Sequence, residues 1–321
     1  MAHTAPARYV YLGPEGTFTE AALRNFVGDE EVIAQPTPDV VTALDAVRAG
    51  EADFAVVPIE NSVEGGVNAT LDTLSNGGGL MIVGEVVIPV EFVLAVLPGT
   101  TAADIREIAT HPHAWAQCRG WVARELGEVA HRPATSTAAA AAELAEAGSR
   151  EAAGYDAVLC SELSARRYGL ATFAHGVADN RGAVTRFIVV TRSGDIHPPT
   201  GTDKTTLMVH LPHNEAGALM AMLDQFAVRG VNLSRIESRP IGDSLGRYSF
   251  SLDLEGHVAE ERVAETLVGL HRVCPVVRFL GSYPRADGGT PRIPRGAAEE
   301  DFVKARAWVA ELRAAVRPAQ D

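Results

Sequence analysis

The sequence predicts an α/β protein in two parts, and three observations carry that reading. Apolar strand-like runs alternate with helix-periodic segments over residues 8–192. A polar stretch rich in Pro and Gly, SGDIHPPTGTDK at 193–204, reads as a linker. Beyond it the pattern restarts as βαββαβ over about eighty residues, the order of a ferredoxin-like sandwich.

In the first part, RYVYLG at 8–13 is a short strand and 21–27 a helix. Val40, Val41, Leu44 and Val47 recur at helical spacing, with Gly50 placed to stop that helix. DFAVVPI at 53–59 is a buried strand, and 83–96 holds two strand-like runs around Pro89. An alanine-rich helix follows at 137–147, then strands at 157–160 and 187–191. Alternation of this kind implies a mostly parallel sheet. In the second part, strands are expected at 205–211, 231–241, 247–254 and 276–283, and helices at 216–228 and 260–273, with GDSLG at 242–246 as a turn. In 247–254, Tyr248, Phe250, Leu252 and Leu254 alternate with Ser249, Ser251 and Asp253, which is a period of two. A polar, Gly-rich stretch at 287–296 precedes one more helix at 298–316. Its apolar residues Phe302, Val303, Trp308, Val309, Leu312 and Val316 predict packing on the body of the protein or on a partner subunit.

Composition is that of a globular chain, 46% apolar and 21% charged. The net charge of −13 argues against a nucleic-acid partner and supplies no long-range attraction for an anion. An anionic ligand must therefore be captured by local donors such as helix N-termini. No uninterrupted apolar run is long enough to span a membrane. The short polar N-terminus lacks the basic flank and apolar core of a signal peptide, so a cytoplasmic location is expected. Cys118, Cys160 and Cys274 lie far apart and read as isolated buried thiols.

Four motifs are candidates for chemistry. GPEGTFTE at 13–20 lies between a strand and a helix, and Thr17 with Glu20 has capping-box spacing. It is either a simple cap or a loop whose hydroxyls and N–H groups face the crevice where open α/β sheets bind ligands. PIENSVEGG at 58–66 ends a buried strand in Glu60, Asn61 and Ser62. A turn and cap account for Asn61 and Ser62, but less well for the carboxylate. Ser136 and Thr137 open the alanine-rich helix, as a carboxylate site or as ordinary caps. His113 opens another helix, where a lone histidine is more often a cap or surface residue. Thr185, Arg186 and Phe187 put a hydroxyl, a guanidinium and a ring at a strand start. The phosphate-loop, dinucleotide, zinc-protease, CxxC and serine-elbow signatures are absent, so nothing points to a nucleotide, a metal or a serine hydrolase.

Taken in order, GPEGTFTE, PIENSVEGG, HAWAQC, STAAAA, SELSARRYGL and VTRF resemble the prephenate dehydratases. NEAGALMAML at 214–223 and RIESRP at 235–240 are similar to the ligand motifs of the regulatory ACT domain in that family. The resemblance covers about residues 8 to 284. It implies a catalytic domain over 1–192, two-lobed like the type-II periplasmic binding proteins. Lobe 1 takes 8–88 and 186–192, and lobe 2 takes 89–185. The linker 193–204, an ACT domain at 205–285 and a tail at 286–321 follow. The crossings near 89–91 and 182–185 form the hinge, which places Thr185 at the cleft. Family members keep an Asn close before Thr-Arg-Phe, whereas here the nearest, Asn180, lies five positions upstream of Thr185.

The activity so implied is loss of CO2 and water from prephenate to give phenylpyruvate. Aromatisation drives it, so no metal or redox cofactor is expected. Thr185 is expected to donate a hydrogen bond or proton to the departing hydroxyl, with polarity lent by its neighbours. Thr17, Asn61, Ser62, Ser136, Thr137 and Arg186 are expected to hold carboxylates, and Phe187 to line the site. Glu60 is expected to orient donors or Thr185 itself. Asn214, Gly217, Ala218, Leu219, Glu237, Ser238 and Arg239 are the expected sites for L-phenylalanine, the implied effector, at the interface of a homodimer or homotetramer. The alternatives are an arogenate dehydratase, marked by a carboxylate that meets the substrate's ammonium, and a non-catalytic amino-acid or dicarboxylate sensor, which has no use for Thr185.

Overall fold

The structure, a computed structural model, describes residues 5–212, 215–241 and 248–316. In chain order the elements are β1 (Arg8–Leu12), α1 (Phe18–Val27), β2 (Ile33–Thr37), α2 (Val40–Ala49), β3 (Phe54–Asn61), β4 (Gly65–Gly66), α3 (Asn68–Asn76), β5 (Leu80–Pro89) and β6 (Val93–Val96). They continue with β7 (Glu107–Thr110), α4 (Pro112–Glu125), β8 (Ala130–Pro133), α5 (Thr137–Ala147), α6 (Arg150–Ala153), β9 (Ala157–Cys160), α7 (Glu162–Arg167), β10 (Ala171–Ala174) and β11 (Val184–Arg192). The last set is β12 (Asp203–His210), α8 (Ala218–Ala227), β13 (Leu233–Pro240), β14 (Tyr248–Glu255), α9 (Glu261–Val273), β15 (Val276–Pro284) and α10 (Glu299–Ala314).

The chain divides into two compact units. One holds residues up to Thr70 and Val86–Arg192; the other holds Leu71–Glu85 and everything from Ser193. Residues 71–85, read from the sequence as part of lobe 1, thus group with the second unit.

The first unit is built on two sheets. One runs β2-β1-β3-β11, and the other runs β10-β6-β9-β7-β8. Both are mixed, which corrects the expected mostly parallel sheet. β1 pairs in parallel with β2 and β3, and β7 with β8 and β9, but β11 runs antiparallel to β3, and β6 to β9. The cause is the chain's two passages between the sheets, since β6 and β11 enter just after a crossing and run against their neighbours. The crossings lie side by side, with Val90 N donating to Ala183 O at 2.8 Å.

The second sheet shows why β6 and β9 carry no polar face. Leu94, Val96 and Leu159 pack with Ile108, Cys118 and Val122 on one side. Val93, Ala95, Val158 and Cys160 pack with Ala140, Ala141 and Leu144 on the other. A strand covered by helices on both faces reads as a continuous apolar run. The alanines of α5 let it lie close on that face. All three cysteines are buried and unpaired, and burial pushes the Cys118 and Cys160 thiols up to about 12.

The second unit has the order β13-β14-β12-β15, all antiparallel. Met222 and Phe226 of α8 and Val263 and Leu270 of α9 pack on Leu207, Val209, Phe250, Leu252 and Leu254. Arg235 and Asp253 form a buried ion pair at 2.8 Å. Residues 71–85 are tied to the sheet by Arg239 to Asp72 at 3.1 Å, Ser75 to Ser249 at 3.1 Å, Arg278 to the Ser75 carbonyl at 2.7 Å and Lys204 to Glu85 at 2.9 Å. α10 meets α9 through Arg306, which pairs with Glu261 and Glu265. Its Trp308 and Leu312 remain exposed, as does Val316 just beyond it. The expected turn at 242–246 lies outside the described residues. Among those residues no helix is long and apolar enough to cross a membrane.

Candidate active site

β3 and β11 place the central pair of side chains. They are antiparallel, with Thr185 opposite Asn61 and Arg186 opposite Glu60. The next aligned pair is Phe187 with Pro58, so Ile59 is an extra residue in β3. Such a bulge breaks the strict alternation of faces. Counting by twos from Pro58 would put Glu60 on the Pro58 side. The extra residue gives that place to Asn61 instead. Ile59 stays buried, its carbonyl taken by Val67 N at 2.9 Å.

The consequence is a cavity of about 300 Å³ within the first unit, lined by Pro58, Asn61, Thr185 and Phe187 but not by Glu60, Ser62 or Arg186. Asn61 Oδ1 accepts from Val63 N at 2.8 Å and Glu64 N at 3.3 Å, which fixes the amide's orientation. Its Nδ2 therefore donates to Thr185 Oγ1, at 2.9 Å. Thr185 is 8% exposed, and as an acceptor in that bond it keeps its own proton to donate. The side chain that meets the Thr185 hydroxyl is thus Asn61. Glu60 stands 3.5 Å from Arg186. Ser62 ends the strand pair, its Oγ accepting from Val184 N and its N–H donating to Val184 O, each at 2.9 Å.

Three helices begin at this cavity. Thr17 caps α1, His111 caps α4 and Ser136 caps α5, and all three line it. Helices of 10, 14 and 11 residues aim their positive ends and first N–H groups at one space. Ser136 Oγ accepts from Ala139 N at 2.9 Å, leaving its proton for a ligand, and Thr137 lies beside it. Thr17 lines the same space. Its hydroxyl accepts from Glu20 N at 3.3 Å and donates back to Leu12 O at 3.1 Å, so it serves the protein. The capping box is half formed, since Glu20 Oε2 takes Gly16 N at 2.6 Å rather than Thr17 N.

Apolar walls come from Phe18, Val90 and Phe92, with Phe18 edge-on to Phe92 at 5.6 Å. Among the described residues the lining holds no Lys or Arg; its ionisable groups are Glu64, His111 and His113. His113, read from the sequence as a cap or surface residue, is a surface residue, its side chain 64% exposed. It pairs with Glu64 at 2.6 Å, and the actual cap is His111, whose Nδ1 accepts from His113 N at 3.3 Å. Burial, together with nearby His113, lowers the His111 pKa. Gln117, Thr19 and Thr135 also line the cavity and were not singled out from the sequence. Asn180 does not; its Oδ1 accepts from Gly182 N at 3.0 Å in a local turn.

Beside the cavity, the GPEGTFTE loop is held by α7. Ser161 and Ser164 both donate to Gly16 O, at 2.9 and 2.8 Å, and Arg167 meets Glu15 at 2.7 Å and Glu20 at 3.0 Å. Gly16 has φ +86°, and a Cβ there would stand 2.8 Å from Ser164 Oγ. That loop tolerates only glycine at this point. A second hollow, of about 500 Å³, is lined by charges that already neutralise one another, such as Arg150 with Asp104 and Asp156.

In the second unit, Gly217 caps α8 with φ +92°, Ala218 opens the helix and Leu219 is 40% exposed. Glu237, Ser238 and Arg239 lie on the edge strand β13, and Arg239 is engaged by Asp72. Asn214 lies outside the described residues. Among the described residues, no group of three or more His, Cys, Asp or Glu is placed to hold a metal.

Comparison with known proteins adds three findings. The family model for prephenate dehydratase matches residues 9–195. The prephenate dehydratase of Amycolatopsis methanolica is 45% identical over 310 residues, 96% of this chain and 98% of its own. Among solved structures, prephenate dehydratase from Arthrobacter aurescens in complex with L-Phe superposes with a TM-score of 0.90 at 51% identity, covering 96% of this chain and 99% of its own. GqqA, described as a novel type of quorum quenching acylase, superposes with a TM-score of 0.76 at 33% identity over 86% of this chain and 97% of its own.

Proposed function

This chain belongs to the prephenate dehydratase family, and from that premise we propose how its cavity carries out the decarboxylating dehydration of prephenate to phenylpyruvate. The observation that carries the reading is the convergence of three helix N-termini on the Asn61–Thr185 pair. Prephenate is a dianion, and helix ends with unpaired N–H groups hold carboxylates without side-chain cations. One carboxylate goes to the α5 start, where Ser136 and Thr137 add hydroxyl donors. Thr185 donates to the departing ring hydroxyl, and Asn61 aims it. The amide's donation to Oγ1 raises the acidity of a group otherwise too weak an acid. Phe18, Phe92 and Phe187 seat the ring in apolar surroundings, which favour loss of the ring carboxylate as CO2. Aromatisation supplies the driving force, so the scheme asks for no metal or redox cofactor. Arg186 with Glu60, and Ser62, act as supports of the strand pair.

The finer architecture of the proposal is a two-lobed catalytic domain over 1–192 of the type-II periplasmic-binding-protein kind, a linker at 193–204 and an ACT domain at 205–285. The two mixed sheets joined by paired crossings support the first, and the βαββαβ order with its β13-β14-β12-β15 sheet supports the second. L-phenylalanine is the proposed effector, since a relative at 51% identity is described in complex with it. Its proposed contacts are the start of α8 and Glu237 to Arg239, in a cytoplasmic homodimer or homotetramer. Feedback requires that phenylalanine favour one global state over another.

The test is phenylpyruvate formation from prephenate, with arogenate and an acylated amine as parallel substrates and L-phenylalanine added to each. Turnover of prephenate that falls as phenylalanine rises supports the reading. Turnover of arogenate alone would make the chain an arogenate dehydratase. Hydrolysis of the amide alone would favour acyl transfer, and no turnover at all a sensor.

A further inference from the structure

The loop that leads into α1 has a peptide unit with two possible orientations. Gly16 has φ +86°, and a residue without a Cβ leaves the peptide that follows it free to lie either way up. That peptide, Gly16–Thr17, is trans, so the Gly16 carbonyl and the Thr17 N–H point in opposite directions. One orientation offers an N–H to the cavity that Thr17 lines. The other offers a carbonyl oxygen, which repels an anion. Side chains of α7 and its two caps select between them. Ser161 and Ser164 both donate to the Gly16 carbonyl, at 2.9 and 2.8 Å, and Tyr168 Oη donates to the Glu15 carbonyl at 2.9 Å. Both serines are buried, and two hydroxyls fill both lone pairs of the one oxygen. The Gly16 N–H is spent on Glu20, and the Thr17 hydroxyl on Leu12 O and Glu20 N. What Thr17 has left for the cavity is its own N–H, which has no acceptor among the described residues.

We propose, on the dehydratase reading above, that Ser161 and Ser164 are positioning residues of the reaction. By gripping the Gly16 carbonyl they aim the Thr17 N–H into the cavity, where it binds the carboxylate that the substrate keeps. The departing carboxylate is the poorer partner, because a donor that holds it opposes its loss as neutral CO2. The retained carboxylate is held alike before, during and after the reaction, and the product carries it away. Neither serine belongs to the cavity lining, so both act through the loop. Without them the glycine lets the peptide turn over, and an oxygen replaces the donor.

The test is steady-state turnover of prephenate by the parent, Ser164→Ala and the double variant Ser161→Ala/Ser164→Ala, with phenylpyruvate binding measured by calorimetry on the same proteins. Ser164→Ala leaves one hydroxyl on the carbonyl, so KM rises about threefold; the double variant leaves none, and KM rises about tenfold or more. In both, kcat stays within about threefold, and Kd for phenylpyruvate rises by the same factor as KM, because one contact serves substrate and product. A merely structural role would lower the melting temperature and the active fraction and leave KM and Kd in place. A folded double variant with KM and Kd both within about twofold of the parent would therefore overturn the proposal. If the double variant does not fold, Ser164→Ala decides alone, since it keeps Ser161 as the cap of α7, and an unchanged KM and Kd there would overturn it equally. A parent that neither converts prephenate nor binds phenylpyruvate fails the dehydratase reading itself; a parent that does both, with unchanged variants, fails the proposal alone.

Discussion

Replacing Thr185 with valine removes one hydroxyl and keeps the shape of the side chain. The structural cost is small. One hydrogen bond is lost, that from Asn61 Nδ2 at 2.9 Å, and Asn61 is half-buried, so water can take the vacated place. That loss amounts to about 1 kcal/mol, or about 2–4 °C in melting temperature for a domain of this size. The chemical cost is far larger if this hydroxyl is the acid. A lost general acid lowers kcat by about 10²–10⁴, which is about 3–5.5 kcal/mol on the barrier. KM should move only a few-fold, because the carboxylates remain on the helix N-termini. Phenylpyruvate is followed by absorbance after base treatment, and melting is recorded on the same preparation. Thr185→Ser, which restores a hydroxyl, should recover most of the rate. A folded valine variant with kcat within tenfold of the parent would refute the role given to Thr185.

Other outcomes follow from the same contacts. Asn61→Ala should lower kcat about tenfold or more, whereas Glu60→Gln should change it less than about threefold, since the bulge turns Glu60 away; a hundredfold loss in the latter would put Glu60 in the cleft. Burial opposes ionisation of Glu20, but the Gly16 N–H, Arg24 and Arg167 outweigh it and hold its carboxyl below the ordinary 4.5. A depressed folded-state value gives stability that is present above 4.5 and lost as pH falls through the lower value. The urea midpoint of Glu20→Gln should therefore lie below the parent's at pH 7 and approach it as pH falls below 4.5; a gap that stays constant over that range would contradict this. Lys204→Met leaves Glu85 buried without its ammonium and should cost about 3 kcal/mol in urea unfolding, most of it recovered on adding Glu85→Leu.

Strand ends and helix starts made much of the site legible. Thr185, Asn61, Ser136 and Thr137 stand where a buried apolar run meets polar residues, and that local signal survives in one dimension. Asn61 rather than Glu60 lines the cavity because the bulge at Ile59 breaks the alternation by twos that is the default for a strand. Nothing in PIEN marks Ile59 as an extra residue, for a bulge is a property of two strands. The Glu64–His113 contact spans 49 positions and joins the chain after β3 to the start of α4, so no spacing announces it. β2 escaped notice because it is an edge strand, mostly exposed and carrying Pro36, and an edge has no apolar face to display. In the second unit the alternation of 247–254 and the helical stripes were plain, because one face of that sheet carries the core.

The assignment of Leu71–Glu85 to the second unit bears on how this chain is made and cut. Asp72 waits 167 residues for Arg239, and Glu85 waits 119 for Lys204. A nascent chain thus exposes this segment well before the sheet that receives it has been synthesised, and that unit closes late, from two distant stretches. Scission at the linker predicted over 193–204 gives no pair of independent pieces. The N-terminal product keeps Asp72, Ser75 and Glu85 stripped of their partners. The C-terminal product keeps Arg239, Ser249, Arg278 and Lys204 with nothing to hold. Each fragment carries half of the same joint, so co-expressed halves should find one another where either alone is incomplete.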